Sequence, residues 1–398
     1  MSYRAEAEIS ARALLNNYEV IRSQVPGQAI LPMIKANAYG HGASWTAKIL
    51  AREPDLYGFG VATMEEAVEV RKALEEYKGE QKGSRSGNSK IKIVIVSGAT
   101  PFSVEKGELC EKYYLTPTLT REEDWALFLR EGFQSRIPYE LKFNTGMNRL
   151  GMAPGFAKQL AKTLRDLPAV EHPSGVLTHL AIGENADEKL SQMQLTNFRA
   201  IHAELHKVLP QTYFHLANSG AIWNAKQWGL DGLTDLVRPG LSLYGVPPWQ
   251  GAPARGLQPV MTLRAPVIAR HTLKPGDRVG YGGTVQVAGQ AAPGKDAAGL
   301  SDQIAVLGIG YADGMKRGLS GVGADRRGQV FLNGKYEPVI GIVSMDLCAV
   351  SCSAKTKVGD WAEILGPNID PWVQARAAES IPYELLTSVS SRVDRRYV

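Results

Sequence analysis

The chain has 398 residues, 44% hydrophobic and 21% charged, a composition that fills one or two packed domains and needs no disorder to explain it. A formal charge of +5, with no basic run carrying interleaved aromatics, argues against a nucleic-acid partner and suits small anionic ligands. Three cysteines without metal spacing, no apolar leader and no run of roughly 18 apolar residues point to the cytoplasm, away from membranes.

An alternating segment at 5–9 is followed by a helical pattern at 11–25, with apolar residues three and four apart. From there the patterns alternate. Strands are predicted at 29–34, 56–61, 91–96, 113–117, 138–143, 174–179, 212–216 and 235–237, with helices between most of them, among them 64–77, 121–131, 155–165 and 187–208. Such alternation defines an α/β fold, and eight strands with intervening helices argue a closed (β/α)8 barrel of the TIM type. The segment 78–90, rich in charge, Gly and Ser, reads as a surface loop, and 287–302, rich in Ala and Gly, as a second one. Beyond Pro259 short Val, Ile and Leu runs are separated by turn signals, so a barrel of residues 1–257 is expected to precede a mainly β domain of 258–398. Residues 1–10 can pair with that second domain.

The apolar run 29–34 delivers Lys35 to the point where the pattern turns polar, in Ile34-Lys35-Ala36-Asn37-Ala38-Tyr39-Gly40-His41-Gly42. Desolvation lowers the pKa of such a lysine and frees amine for a Schiff base with an aldehyde, although a strand-edge lysine can also simply reach water. Other predicted strand ends carry Lys142 to Arg149, His179, Asn218 with Ser219, and Arg238-Pro239-Gly240-Leu241. In a barrel these would converge on one face, where Gly240 and Leu241 backbone donors and the Ser219 and Tyr39 hydroxyls suit a phosphate. Taken singly, Arg238 reads better as a solvated turn residue and His179 as a core histidine. His202 and His206 lack the glutamate of zinc helices, so no metal is expected.

The nonapeptide, the run Lys142-Phe143-Asn144-Thr145-Gly146-Met147-Asn148-Arg149-Leu150-Gly151, Asn218-Ser219, Arg238-Pro239-Gly240, Gly280-Tyr281-Gly282 and Met345-Asp346 together resemble, in order, the motifs of the alanine racemases. That resemblance implies an isomerase that interconverts L- and D-alanine, supplying D-alanine for peptidoglycan, with pyridoxal 5'-phosphate bound covalently to Lys35. It implies a homodimer with shared active sites, in which Lys35 and the partner subunit's Tyr281 are the two catalytic bases on opposite faces of the substrate. Tyr39, His179, Asn218, Ser219, Arg238, Gly240 and Leu241 would bind the cofactor, with Arg238 on the pyridine nitrogen. Arg149, Met345 and Asp346 would bind the substrate, and Lys142 matches a lysine that the family often carbamylates. Tyr311 and Ser391 would line the entrance; most family members have tyrosine where Ser391 stands, so a broader alanine/serine racemase is the alternative reading. A non-enzymatic carrier of the same cofactor would lack the β domain and Tyr281, and a decarboxylase of the same fold would pair the pyridine nitrogen with a carboxylate in place of Arg238.

Overall fold

The computed structural model describes residues 4–80, 91–253, 255–286, 302–322 and 328–398, with side chains for all of these except 78–80. Strand β1 (Glu6–Ile9) leads into helix α1 (Ala11–Gln24), whose start is fixed by the Ser10 hydroxyl accepting the Ala13 N–H at 3.2 Å. Leu14, Tyr18 and Ile21 recur on one face of α1 and are buried, which is the physical basis of the three-and-four spacing seen in the sequence.

Eight short parallel strands follow: β2 (Ala29–Ile30), β3 (Gly58–Val61), β4 (Lys92–Ile95), β5 (Thr116–Leu119), β6 (Glu140–Lys142), β7 (Gly175–Leu177), β8 (Tyr213–His215) and β9 (Leu236–Val237). β3 to β8 form one six-stranded parallel half-barrel in chain order, and β2 pairs with β9. The two sheets are joined at both edges. Met33 bridges Gly60, the Ile34 N–H donates to the Gly60 carbonyl at 2.8 Å, Asn218 bridges Arg238, and the Asp235 N–H donates to the Phe214 carbonyl at 2.8 Å. This makes the amino-terminal half TIM-like. Its strands are buried on both faces, β3 and β5 to β7 completely, although β6 carries Glu140 and Lys142 and so does not read as an apolar run.

Segment α2 (Lys35–Tyr39) and helices α3 (Ala43–Leu50), α4 (Met64–Glu80), α5 (Val104–Tyr113), α6 (Glu122–Arg130), α7 (Phe156–Arg165), α8 (Lys189–Leu205), α9 (Ser219–Trp223) and α10 (Ala225–Trp228) connect the strands. The strand expected at 113–117 begins later than its sequence suggested. Tyr113 ends α5, which Ser103 caps, and Tyr114 takes the left-handed φ of 51° that terminates the helix, so the β-prone aromatics there are spent on a helix end. The loop expected at 78–90 lies mostly outside the described residues, although α4 extends to Glu80; that expected at 287–302 lies outside them apart from Asp302.

The second half is an antiparallel barrel. Strand β10 (Met261–Thr272) is followed by a small hairpin of β11 (Arg278–Val279) and β12 (Val285–Gln286), then by β13 (Gln303–Leu307), β14 (Gln329–Leu332), β15 (Lys335–Ile340), β16 (Cys348–Ser351), β17 (Trp361–Leu365) and β18 (Asp394–Tyr397). The order β13-β16-β15-β14-β17-β10 closes because β10 also pairs with β13. Register shifts near Leu263 and between Val267 and Ala269 let the long β10 bend to serve both neighbours. β1 adds antiparallel to β10, and β18 adds parallel to β1, so both ends of the described chain lie in this sheet. Two short helices depart from the all-β pattern read beyond Pro259: α11 (Pro371–Ala377) and α12 (Pro382–Thr387). Each starts on a proline, whose fixed φ suits a first turn, and α11 is capped by Asp370. They are too short for a sequence period to register. Among the described residues no helix is long and apolar enough to cross a membrane.

Candidate active site

Lys35 stands where β2 has ended, at the head of a backbone segment of opposite hand. Ala36, Asn37, Ala38 and Tyr39 all have φ between 51° and 54°. A left-handed residue with a Cβ costs about 1–2 kcal/mol, so four in succession require fixing from outside. The Glu66 carboxylate accepts the Ala36 N–H at 2.6 Å and the Ala62 N–H at 2.7 Å, and the Asn37 side chain accepts the Ala43 N–H at 2.9 Å. From the carboxyl end, Arg395 donates to the Gly40 carbonyl at 2.8 Å, and the Tyr397 ring stacks on Trp45 at 4.9 Å. Below, His41 stacks on Tyr244 at 4.4 Å. Hydrogen bonds contribute about 0.5–1.5 kcal/mol net each, so these four offset part of that cost and the ring stacking adds to them. Gly42 has a φ of 100°, which a residue with a Cβ rarely adopts, and a Cβ there would also meet the Tyr397 hydroxyl.

The consequence is chemical. Burial holds the Lys35 amine below the ordinary lysine value, the nearby Arg149 cation lowers it further, and Glu66 only partly opposes them. More of the amine is therefore neutral and nucleophilic than on a surface lysine.

Lys142 ends β6, and the loop after it returns as a hairpin: the Met152 N–H donates to the Lys142 carbonyl at 2.8 Å and the Asn144 N–H to the Met152 carbonyl at 2.9 Å. The Asn144 side chain gathers the Gly146 and Asn148 N–H groups, and Gly151, with φ 135°, lies so close to Phe143 and Asn144 that no Cβ fits. This brings Arg149 back beside Lys142 and His179, around one small cavity. Lys142 is held down to about 8 by burial and then by Arg238, Arg149 and Lys35, so part of its amine is free at neutral pH to add carbon dioxide. His179 is pushed well below the usual imidazole value by burial and the same four cations, and stays neutral.

Arg238 is fully buried at the end of β9. It donates to the Thr178 carbonyl at 2.6 Å, to the Leu216 carbonyl at 3.2 Å and to His215 Nδ1 at 2.8 Å. Burial pushes its guanidinium down to about 10, with Glu140 opposing. Beside it the Ser219 hydroxyl accepts the Gly240 N–H at 3.0 Å and the Ser242 N–H at 3.4 Å, Leu241 starts the next turn, and Asn218 caps α9 by accepting the Ala221 N–H at 3.2 Å. A Cβ on Gly240 would meet the Tyr39 hydroxyl, so Tyr39, Ser219, Gly240 and Leu241 form one cradle. Lys35, Lys142, Arg149 and Arg238 thus lie close enough to act on one another's charge, an electropositive cluster suited to a phosphate and a carboxylate together.

Other predicted residues lie elsewhere on the single chain. Tyr281 is 70% exposed on the hairpin turn between β11 and β12, and Met345 is 53% exposed. No hydrogen bond, ion pair or ring contact joins Tyr281 to Lys35 among the described residues of one chain. Asp346 pairs with Arg392 at 2.6 Å, Tyr311 is exposed and hydrogen-bonds through its N–H to Ser344, and Ser391 is exposed beside Arg392. Sequence reading missed Glu66, His215, Glu140 and Tyr383, whose ring lies 5.9 Å from Tyr39. His215 carried a signal, since it lies one residue before the end of a predicted strand; Glu66 and Glu140 looked like ordinary charges.

With this geometry in view, the chain can be set beside known proteins. The N-terminal domain of alanine racemase, as a sequence family, matches residues 9–248, and its C-terminal domain matches residues 260–397. The alanine racemase of Nitrosococcus oceani is 34% identical over 98% of both chains, and that of Deinococcus radiodurans 33% identical over 99% of both. Among solved structures, the biosynthetic alanine racemase of Pseudomonas aeruginosa superposes with a TM-score of 0.80 at 29% identity, covering both chains completely. The alanine racemase of Bartonella henselae with covalently bound pyridoxal phosphate gives a TM-score of 0.79 at 29% identity, again over 100% of both. Both halves of the fold are those of an isomerase acting on an amino acid. The chain belongs to the alanine racemase family.

Proposed function

We propose that this enzyme interconverts L- and D-alanine with pyridoxal 5'-phosphate held by Lys35, in a homodimer whose two sites each draw on both subunits, and that it supplies D-alanine for peptidoglycan. The amino-terminal strands are then a closed (β/α)8 barrel, divided from the β domain between residues 257 and 258. The observation that carries the reading is the half-buried, pKa-depressed Lys35 set in a pocket of cations with a hydroxyl and backbone cradle opposite. That donor set fits the cofactor: an amine for its aldehyde, Tyr39, Ser219, Gly240 and Leu241 for its phosphate, and Arg238 for its ring nitrogen. When bound, pyridoxal phosphate supplies an acceptor for the electrons left behind by the α-hydrogen.

The protein's own residues do the rest. Arg149, with the Met345 backbone N–H and Asp346 of the partner subunit beside it, orients the substrate carboxylate. Lys35 exchanges the proton on one face and the partner subunit's Tyr281 on the other, as inversion requires. His179 stays neutral and supports the partner subunit's Tyr281 as a hydrogen-bond partner beside Arg238. Arg238, a pure donor, leaves the ring nitrogen without a proton, which limits charge delocalisation and disfavours transamination. The exposed patch of Tyr281, Tyr311, Met345 and Leu347 is the surface a second subunit would cover.

The direct test is racemisation and α-deuterium exchange of a panel of small amino acids by purified protein with pyridoxal phosphate, alongside rescue of cells that require D-alanine. Exchange of alanine from both enantiomers is expected; no exchange with any amino acid would remove the reading.

Ser391 bears on which amino acids enter. A serine cannot fill the volume of the tyrosine found there in most of the family, so racemisation of L-serine alongside alanine is expected. One small group in a pocket discriminates by only about 1–3 kcal/mol, which gives a relaxed preference and no switch. In Ser391→Tyr the serine-to-alanine ratio of kcat/KM should fall; an unchanged ratio means that this position does not set substrate size.

A further inference from the structure

Beneath Arg238 the barrel interior holds a carboxylate that the reaction above does not use. Glu140, in β6, has no solvent exposure, and Gly175 on the adjacent β7 makes the space for it: a Cβ there would stand 2.8 Å from Glu140 Cδ and Oε1. Glu140 Oε2 lies 3.4 Å from Nε2 of His215, itself fully buried, and His215 Nδ1 meets Arg238 at 2.8 Å. On the other side of Glu140 stand Tyr57 and Lys92, whose ammonium reaches the Tyr57 hydroxyl at 3.1 Å.

The chemistry of the chain fixes its direction. A guanidinium has donors and no acceptor, so His215 Nδ1 must accept from Arg238 and the imidazole proton must sit on Nε2, facing Glu140. Burial keeps that imidazole neutral, with Glu140 opposing the shift. Without the carboxylate, Nε2–H would face no acceptor, and Arg238 alone would be left to select the tautomer it needs. A buried cation likewise needs a nearby anion, and the pocket around Arg238 otherwise holds cations.

We propose that Glu140 is a positioning residue of the active site: through His215 it holds Arg238 in one orientation at the pocket floor. The proposal rests on the assignment of Arg238 to the cofactor ring. Glu140→Gln keeps the shape and an acceptor but loses the charge, Glu140→Leu loses both, and Glu140→Asp keeps the charge on a shorter arm.

In the holoenzyme kcat is expected to fall about 10–100-fold in Glu140→Gln, the scale seen when an outer partner of a site residue is removed, with KM for alanine little changed. Glu140→Leu should fall further, and Glu140→Asp should recover part of the loss. In the cofactor-free protein, nitrogen NMR of His215 should show a single neutral tautomer protonated at Nε2, and mixed tautomers in Glu140→Leu. If Glu140→Leu does not fold, Gly175→Ala, which crowds the carboxylate from the side, takes its place with the same expected loss and mixing. Wild-type kcat in Glu140→Gln, or a single unchanged His215 tautomer once the carboxylate is lost or displaced, would overturn the proposal. Failure of the wild-type protein to bind pyridoxal phosphate would instead sink the assignment of the pocket, and the NMR comparison would still decide whether Glu140 governs His215.

Discussion

Lys35→Ala is expected to abolish both the visible absorbance of bound cofactor and racemisation in either direction. In the proposed reaction the amine is at once the covalent attachment and one of the two bases. General-base catalysis alone is worth about 10²–10⁴-fold, so losing both roles should leave no measurable turnover. Folding should survive, because the Lys35 amine donates no hydrogen bond among the described residues and its neighbours Arg149 and Lys142 repel it. The linkage sign agrees. A lysine whose folded pKa lies below its unfolded value binds its proton less well when folded, so protonated Lys35 destabilises the fold below the folded pKa, and that cost fades as pH rises toward the unfolded value. The variant should therefore melt no lower than the parent at neutral pH. A Lys35→Ala protein that keeps the absorbance and the activity would remove the central assignment.

The alternation of apolar runs and helices was legible because strands buried on both faces, such as β3 and β5, leave continuous runs of apolar and β-branched residues. Lengths were less so. The run at 29–34 makes a regular ladder only at Ala29–Ile30 and reaches Met33 through a single bridge, because the chain is already turning toward Lys35. The left-handed hand of residues 36–39 left no sequence signal beyond the two glycines, since it is imposed from outside by Glu66 and Arg395. Strand ends pointed to Lys142, His179 and Arg238, and these converge because parallel strands present the same end to one face. Glu140 was invisible for a related reason. It sits inside β6, where a charge looks like a solvent-facing residue of an alternating strand, and only the residues packed around it reveal that it has no water to face.

In Tyr281→Phe, removal of the α-hydrogen should suffer far more from L-alanine than from D-alanine, because Lys35 remains on the other face. Single-turnover measurements from each enantiomer read this directly; equal losses would contradict the division of labour. The hairpin turn that carries Tyr281 is built to present it. Gly280, Gly282 and Gly283 have φ of 68°, 70° and 52°, and the tyrosine between them is 70% exposed although its ring is large and apolar. An isolated chain gains nothing from such exposure, whereas a dimer that inserts the ring into its neighbour's pocket does. The two single variants can therefore complement. A Lys35→Ala subunit still offers Tyr281, and a Tyr281→Phe subunit still offers Lys35, so a hybrid dimer contains one site with both bases intact and one with neither. Mixing the two proteins should restore activity to up to about one quarter of the parent, since random exchange makes half of the dimers hybrid and each hybrid has one working site. Verified subunit exchange without any recovery would mean that each chain supplies both bases to its own pocket, and the shared site would have to be abandoned.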